Sequence, residues 1–286
     1  MSLLKGGHER LFNTVGIVSR IDRREALRFV EELVSHLEIK KVNVFLEPKL
    51  AKQLNKTKTA LPLEKIITVG GDGTILRTCL SIPKPEPPIL AINMGVRGFL
   101  AEVTPKEGLA AVDKCLEGKF TVEHYAKLAS FIGKTRLPDA LNEVLITSSA
   151  PAKLLYAKIW KDGVAVAECR SDGMMISSQV GSTGYSLAAG GPVLDPEVDA
   201  FVLTPVCPLT VFYPIVFSAK SVVSIELLKP KEAFVVVDGQ FQKETGPKSN
   251  RVTVAKSEYK SSFIRFREDF YQRLKARILF SQGEER

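Results

Sequence analysis

Lys65-Ile-Ile-Thr-Val-Gly-Gly-Asp-Gly-Thr-Ile-Leu-Arg77 passes from an apolar, β-branched run through a glycine-rich turn into a segment with helical spacing. A strand that turns in this way into a helix is a phosphate-cradling unit of parallel α/β sheets. Its bare backbone N–H groups can lie close to an anion, and the helix contributes the positive end of its dipole. Glycine at 70, 71 and 73 suits a backbone with positive φ. Asp72 is the odd residue of the turn, because a carboxylate repels phosphate unless it serves a metal or a proton. The plainer alternative is a strand-to-helix turn in which Asp72 caps the helix.

On the N-terminal side of this turn the pattern alternates: strand Val15 to Val18, amphipathic helix Arg24 to Leu37, strand Val42 to Leu46, strand Ile66 to Val69. It continues with strand Ile89 to Asn93 and helix Pro105 to Leu116, which has proline in its first turn and Gly118 as a stop. Short apolar strands alternating with helices predict a parallel sheet covered by helices, whose ligands lie beyond the carboxyl ends of the strands. Asn93-Met-Gly-Val-Arg-Gly-Phe-Leu100 is a second glycine turn at that end. After Lys119 the period changes. Leu141 to Ser148, Leu154 to Trp160, Val164 to Cys169, Met174 to Ser177, Val222 to Leu228, Ala233 to Val237 and Val252 to Ala255 read as strands of a largely antiparallel, sandwich-like region. Phe266 to Leu279 regains helical spacing, as an apolar stripe that docks on the first domain. The fold class is therefore α/β, with an N-terminal parallel-sheet domain over residues 1–118, a β-rich domain over 119–263, and a final segment 264–286 that completes the first domain.

Bulk properties narrow the function classes. A chain of 286 residues with 45% hydrophobic and 25% charged residues is ordinary globular material, long enough for two cores. The net charge of +8 favours anionic ligands. Its basic residues are dispersed among acids, as in Arg265-Phe-Arg-Glu-Asp269, which argues against nucleic acid. Cys79, Cys115, Cys169 and Cys207 are too scattered for a zinc site or a disulfide framework. The charge-free run Phe201 to Ala219 contains Pro205, Pro208 and Pro214, which break any membrane-spanning helix. Met1 to His8 is too short and polar for a targeting segment. These features predict a cytoplasmic protein with reduced thiols and no membrane association. His124 has no cysteine or second histidine nearby in sequence and reads as structural.

Two further stretches carry chemistry. Asp172-Gly-Met-Met-Ile-Ser-Ser-Gln-Val-Gly-Ser-Thr-Gly-Tyr-Ser-Leu-Ala-Ala-Gly-Gly-Pro192 runs from a strand into a turn dense in small and hydroxyl residues. Gly181 and Gly184 permit close backbone approach, and Tyr185 offers a flat face and a hydroxyl to a heterocycle. Asn142-Glu143 sits in the otherwise apolar strand Ala140 to Ile146. Successive strand residues face opposite sides, so at least one of the two polar groups points inward and needs a partner.

Taken in order, the Gly-Gly-Asp-Gly turn, the Asn-Glu pair and the Asp-Gly followed by Gly-Ser-Thr-Gly-Tyr-Ser resemble the NAD kinase family over nearly the whole chain. Gly-Gly-Asp-Gly alone is shared with diacylglycerol-type lipid kinases; the three motifs in this order are far more specific. The resemblance implies transfer of a phosphoryl group from ATP, or from polyphosphate, with Mg²⁺ or another divalent metal, to the 2′-hydroxyl of the adenosine ribose of NAD. It makes Asp72 the proton acceptor and Gly71, Gly73 and Thr74 part of the phosphate loop. Arg77, Lys153, Arg170, Asp172 and Gln240 fall at ligand-contacting positions, and Asn142 and Glu143 at the pair that holds NAD. Thr183, Gly184, Tyr185, Ser186, Leu187 and Ala188 match the segment lining the dinucleotide site. The resemblance also implies a homo-oligomer, dimer or tetramer, with Asp172 at a subunit boundary. The chain departs from the family pattern at Gln179-Val180, Gly184, Ala188 and Leu209, positions that bear on the nicotinamide side. The competing functional readings are a diacylglycerol-type lipid kinase, which needs an apolar acceptor site, and a non-catalytic NAD(P)-binding sensor, in which Asp72 is dispensable.

Overall fold

The computed structural model describes residues 12–56, 64–95, 98–150, 153–267 and 270–279, and side chains only as far as 275. Met1 to His8, residues 96–97 of the second glycine turn, and 280–286 lie outside the described residues. The chain forms two compact units. One comprises Met1–Thr78, Pro87–His124 and Ser262–Arg286, the other Cys79–Glu86 and Tyr125–Ser261.

The first unit opens with β1 (Thr14–Ser19), α1 (Arg24–Ile39), β2 (Asn43–Leu46), α2 (Pro48–Gln53), β3 (Lys65–Gly70), the start of α3 (Asp72–Ser81), β4 (Ile89–Asn93) and α4 (Pro105–Leu116). Its strands are parallel in the order β2-β1-β3-β4. Helix α1 forms because Ala26, Phe29, Val30, Leu33, Val34 and Leu37 recur at helical spacing, and it buries that stripe. Helix α4 starts where the sequence predicts. Pro105 occupies the first turn, and Glu107 reaches back to the Thr104 N–H at 3.0 Å. Register pairs Gly70 with Asn93, so the two glycine turns that follow β3 and β4 leave the sheet at the same edge.

The second unit is built from strands. β5 (Thr121–Ile132) enters it, followed by β6 (Thr135–Arg136), β7 (Glu143–Ser148), β8 (Leu155–Lys161), β9 (Val164–Ser171) and β10 (Gly173–Ser177). After a single 3₁₀ turn at Val180–Thr183 and the short α5 (Tyr185–Ala188) come β11 (Ala200–Val206), β12 (Ile215–Ser218), β13 (Val223–Lys229), β14 (Ala233–Val237), β15 (Phe241–Glu244) and β16 (Arg251–Arg265). One antiparallel sheet runs β12-β11-β10-β7-β14-β15. The other pairs β16-β13-β8-β9. Alternate residues of the two, among them Val144, Ile146, Met174, Ile176 and Val235 from one sheet and Ala157, Ile159, Ile225 and Val254 from the other, close one core, which makes this a β-sandwich.

Three expectations change. The sequence suggests a strand of a few residues at Val252, but β16 runs to Arg265, and its last residues pair in parallel with β4 at Phe263 and Ile89. The polar run Lys256-Ser-Glu-Tyr-Lys-Ser-Ser262 hides this because Ser257, Ser261 and Ser262 are buried. β5 also escapes sequence reading, since the buried Lys127 interrupts its apolar pattern. The final helix, α6 (Phe270–Leu279), starts later than Phe266, whose N–H is taken by Glu102 Oε1 at 2.7 Å. It belongs to the first unit, where the Phe270 ring meets Phe99 edge to face at 5.4 Å. The charge-free run Phe201 to Ala219 folds as β11, β12 and their connection, and no helix among the described residues is long and apolar enough to cross a membrane.

Candidate functional site

In the first unit, the Gly71 carbonyl accepts the N–H groups of Thr74 (2.9 Å) and Ile75 (3.3 Å) and so opens α3 directly after β3. None of Gly70, Gly71 or Gly73 has positive φ, which corrects the sequence-based reason for these glycines. Gly70 is required by crowding, because a Cβ there would lie 2.2 Å from Thr74 Oγ1. At Gly71 and Gly73 a Cβ would meet nothing within 4 Å among the described residues, so these two leave space over the start of the helix. Asp72 holds the first helical position. Its carboxylate turns to the second glycine turn, where Oδ2 accepts the Phe99 N–H at 3.0 Å and Oδ1 the Leu100 N–H at 3.2 Å. Gly98 makes room for it, since a Cβ there would lie 3.2 Å from Asp72 Oδ1. One turn further along α3, the Arg77 guanidinium pairs with Glu47 and donates to the Ser19 carbonyl at 3.1 Å. Arg77 thus ties α3 to the carboxyl ends of β1 and β2.

In the second unit, Asn142 stands just before β7 and Glu143 is its first residue, a small shift from the expected mid-strand pair. Both side chains carry a buried oxygen without a partner among the described residues, Asn142 Oδ1 and Glu143 Oε2. The turn after β10 packs on them. A Cβ at Gly181 would lie 2.0 Å from the Asn142 carbonyl oxygen, and one at Gly184 would lie 3.4 Å from Asn142 Nδ2 and 3.5 Å from Glu143 Oε2. Ser178 binds the Asn142 carbonyl through its N–H at 2.8 Å and the Leu141 carbonyl through its hydroxyl at 2.5 Å. Gly181 and Gly184 therefore form the wall next to the pair, and of the residues that flank Gly184 on this turn Thr183 and Ser186 are buried while Tyr185 is exposed.

Asp238 precedes Gly239 and Gln240 in the turn between β14 and β15, and no motif of the sequence singles it out. Its φ of +51 suits that turn, but its carboxylate is buried and accepts three consecutive N–H groups, those of Leu141 (2.7 Å), Asn142 (2.8 Å) and Glu143 (3.0 Å). An Asp-Gly whose side chain must be satisfied locally would point outward; only contact with β7 reveals this one. Two acids thus share a buried site. Burial, then the Asp238 charge, push the Glu143 carboxyl up to about 8, and burial pushes Asp238 up to about 6 against the pull of its three N–H donors. Thr183, Leu187, Ala188 and Gln240 lie on the same turn or hairpin as these groups. Lys153 and Asp172 are exposed, and Arg170 stacks over the Tyr156 ring at 4.8 Å on the outside of β8 and β9. Among the described residues, no hydrogen bond or ion pair joins these three to the Asn142-Glu143 pair. His124 takes the structural place expected of it, its Nδ1 2.9 Å from Ser262 Oγ.

Residues 15–120 match the ATP-NAD kinase N-terminal domain and residues 141–266 the ATP-NAD kinase C-terminal domain. An NAD kinase of Methanothermobacter thermautotrophicus is 40% identical over 273 residues, covering 93% of this chain and 96% of the other. The chain belongs to the NAD kinase family. The crystal structure of an NAD kinase from Archaeoglobus fulgidus in complex with ATP is 30% identical, with a TM-score of 0.77 over 94% of this chain and all of that one. Yeast NADH kinase, solved with NADH, shares the fold at a TM-score of 0.86 and 22% identity, covering 96% of this chain and 89% of that one. Within the NAD kinase framework, the Asp72 turn falls in the N-terminal domain match and the Asn142-Glu143 pair, the Gly181 to Ala188 turn and Asp238 in the C-terminal one.

Proposed function

We infer that the chain transfers the γ-phosphoryl group of ATP to the 2′-hydroxyl of the adenosine ribose of NAD, giving NADP. The observation that carries this reading is the pair of buried oxygens, Asn142 Oδ1 and Glu143 Oε2, without a partner among the described residues and beside a turn that leads to the exposed Tyr185 ring. Leaving such atoms unsatisfied is costly, and a ligand rich in hydroxyl and amide groups removes the cost. An apolar lipid acceptor would not. Asn142 and Glu143 hold the dinucleotide, with Asp238 fixing their backbone, and Thr183 to Ala188 line it; Lys153, Arg170, Asp172 and Gln240 supply further contacts. Open space at Gly71 and Gly73, with Thr74 beside them at the positive end of α3, receives phosphate. As the new O–P bond forms and ADP departs, Asp72 takes the hydroxyl proton. Among the described residues no cluster of three or more His, Cys, Asp or Glu could hold a metal ion. A divalent cation carried by the nucleotide would supply charge neutralisation at the phosphates.

The same reading takes the chain to be cytoplasmic and to assemble with copies of itself, the surface for this being the exposed Leu209, Val211 and Tyr213 of the second unit. The test is formation of NADP from NAD by the purified chain, with ATP and with polyphosphate as separate donors. Product with ATP is expected. Absence of NADP with every donor overturns the reading in favour of a binding protein.

Glu143 gives a sharper check. A ribose hydroxyl donates to a carboxylate, so NAD binding releases the proton that Glu143 holds near neutral pH. Glu143→Gln should weaken NAD binding by about 1.5–3 kcal/mol, the worth of a charge-assisted hydrogen bond. Calorimetry in buffers of different ionisation heat should find proton release at pH 7 in the wild type and none in the variant. In the ligand-free protein the sign is fixed by the raised carboxyl. Between about 6, where Asp238 has ionised, and about 8 the Glu143 carboxyl leaves the folded state holding one more proton than the unfolded, so stability falls as pH rises. The slope is about 1.4 kcal/mol per pH unit for one proton, and Glu143→Gln should remove it.

A further inference from the structure

At the first position of α3 the Asp72 carboxylate could cap the N–H groups that open its own helix, the ordinary behaviour of an aspartate there. Instead it reaches across to Phe99 and Leu100, one oxygen to each amide. What holds those amides in place comes from the far end of the chain. The Leu100 carbonyl accepts Nη1 of Arg265 at 3.0 Å, so both polar groups of that residue's backbone are engaged. Arg265 is buried and is itself fixed by Glu102 Oε2 at 3.1 Å and Glu123 Oε2 at 2.9 Å. Glu102 in turn takes the Phe266 N–H at 2.7 Å. The Phe99 ring is gripped by Phe270, the first residue of α6, at 5.4 Å and an interplanar angle of 87°. The Arg273 guanidinium lies 5.8 Å from the same ring and 3.7 Å from Glu102.

We propose that Arg265 and Phe270 are positioning residues for Asp72, holding its carboxylate in the orientation that accepts the hydroxyl proton by clamping the Phe99-Leu100 turn. The proposal rests on the assignment of Asp72 as the proton acceptor. It gives the returning C-terminal segment a purpose that docking alone does not supply: without the clamp the turn is free to drift, and the carboxylate can swing to cap its own helix. A displacement of about 1 Å in a reacting group is enough to cost two orders of magnitude in rate.

The test is a set of double-mutant cycles on the full chain. Phe270→Ala, which removes the ring that grips Phe99, and Arg265→Lys, which keeps the charge near Glu102 but shortens the reach to the Leu100 carbonyl, should each lower kcat about tenfold or more. The KM values for NAD and ATP should stay within about threefold. Phe270→Leu, which keeps apolar bulk and protects the fold, should fall between wild type and Phe270→Ala. In an Asp72→Asn background the same substitutions should leave the residual kcat unchanged within about twofold, because there is no proton acceptor left to position. Equal fold losses in both backgrounds would assign Arg265 and Phe270 to general stability and overturn the proposal. So would wild-type kcat in both Phe270→Ala and Arg265→Lys while Asp72→Asn is severely impaired. Near-normal turnover of Asp72→Asn alone would instead remove the proton-acceptor assignment, and the positioning role with it.

Discussion

Asp72→Asn should lower kcat by about 10²- to 10⁴-fold, the usual worth of a positioned general base, while NAD affinity stays close to wild type. Asparagine is nearly isosteric but cannot take a proton. The structure adds a cost that the sequence does not suggest. Both carboxylate oxygens accept backbone N–H groups, from Phe99 and Leu100, and the amide can satisfy only one of them while its NH₂ faces the other. A loss of about 1–3 kcal/mol in stability should therefore accompany the rate effect. The two are separated by measuring kcat well below the melting transition, where the variant is fully folded. If Asp72 were only a helix cap, asparagine would serve equally and turnover would hardly change. Near-normal NADP formation by a folded variant would therefore move the catalytic role to another residue.

How much of this was legible in the residues depends on whether the responsible interaction is local. Helix α4 is legible to the residue because its signals are local: Pro105 in the first turn and Gly118, at φ +74, after the end; the Glu107 bond back to Thr104 emerges only in the structure. The Asn142-Glu143 pair was readable as a break in strand alternation, and both members do carry an unpartnered buried oxygen. Asp238 was not. It lies 95 residues from Glu143, and an Asp-Gly at positive φ is fully explained as a hairpin turn until β14 is seen beside β7. The glycine turn falls where the sequence puts it, but positive φ is not its reason: Gly70 is set by clearance against Thr74, and Gly98 of the second turn by clearance against Asp72, which no propensity reports. β16 is longer than its sequence suggests for a related reason, since the serines along it are buried against partners from distant segments.

Lys127 presents the most extreme of these non-local interactions and the largest expected effect on stability. It lies in the middle of β5 with its side chain fully buried, donating to Glu86 Oε1 at 2.5 Å and to the Cys79 carbonyl at 2.8 Å. The other Glu86 oxygen accepts the Ser261 hydroxyl at 2.5 Å. The ammonium also sits at the carboxyl end of α3, where the helix dipole favours a cation. Lys127→Met keeps most of the stem and its packing but leaves a buried carboxylate whose remaining donor among the described residues is Ser261, and should cost about 3–5 kcal/mol. In a chain of this size that lowers Tm by roughly 6–20 °C in a thermal scan. The cost belongs to the abandoned charge more than to any net worth of the pair, because desolvating both ions offsets most of their attraction. Replacing both, as Lys127→Met with Glu86→Leu, should therefore restore much of the lost Tm. If the double variant melts as low as the single one, the ion pair itself stabilises the sandwich, and Cys79–Glu86 is held to it by charge where apolar contact would not suffice.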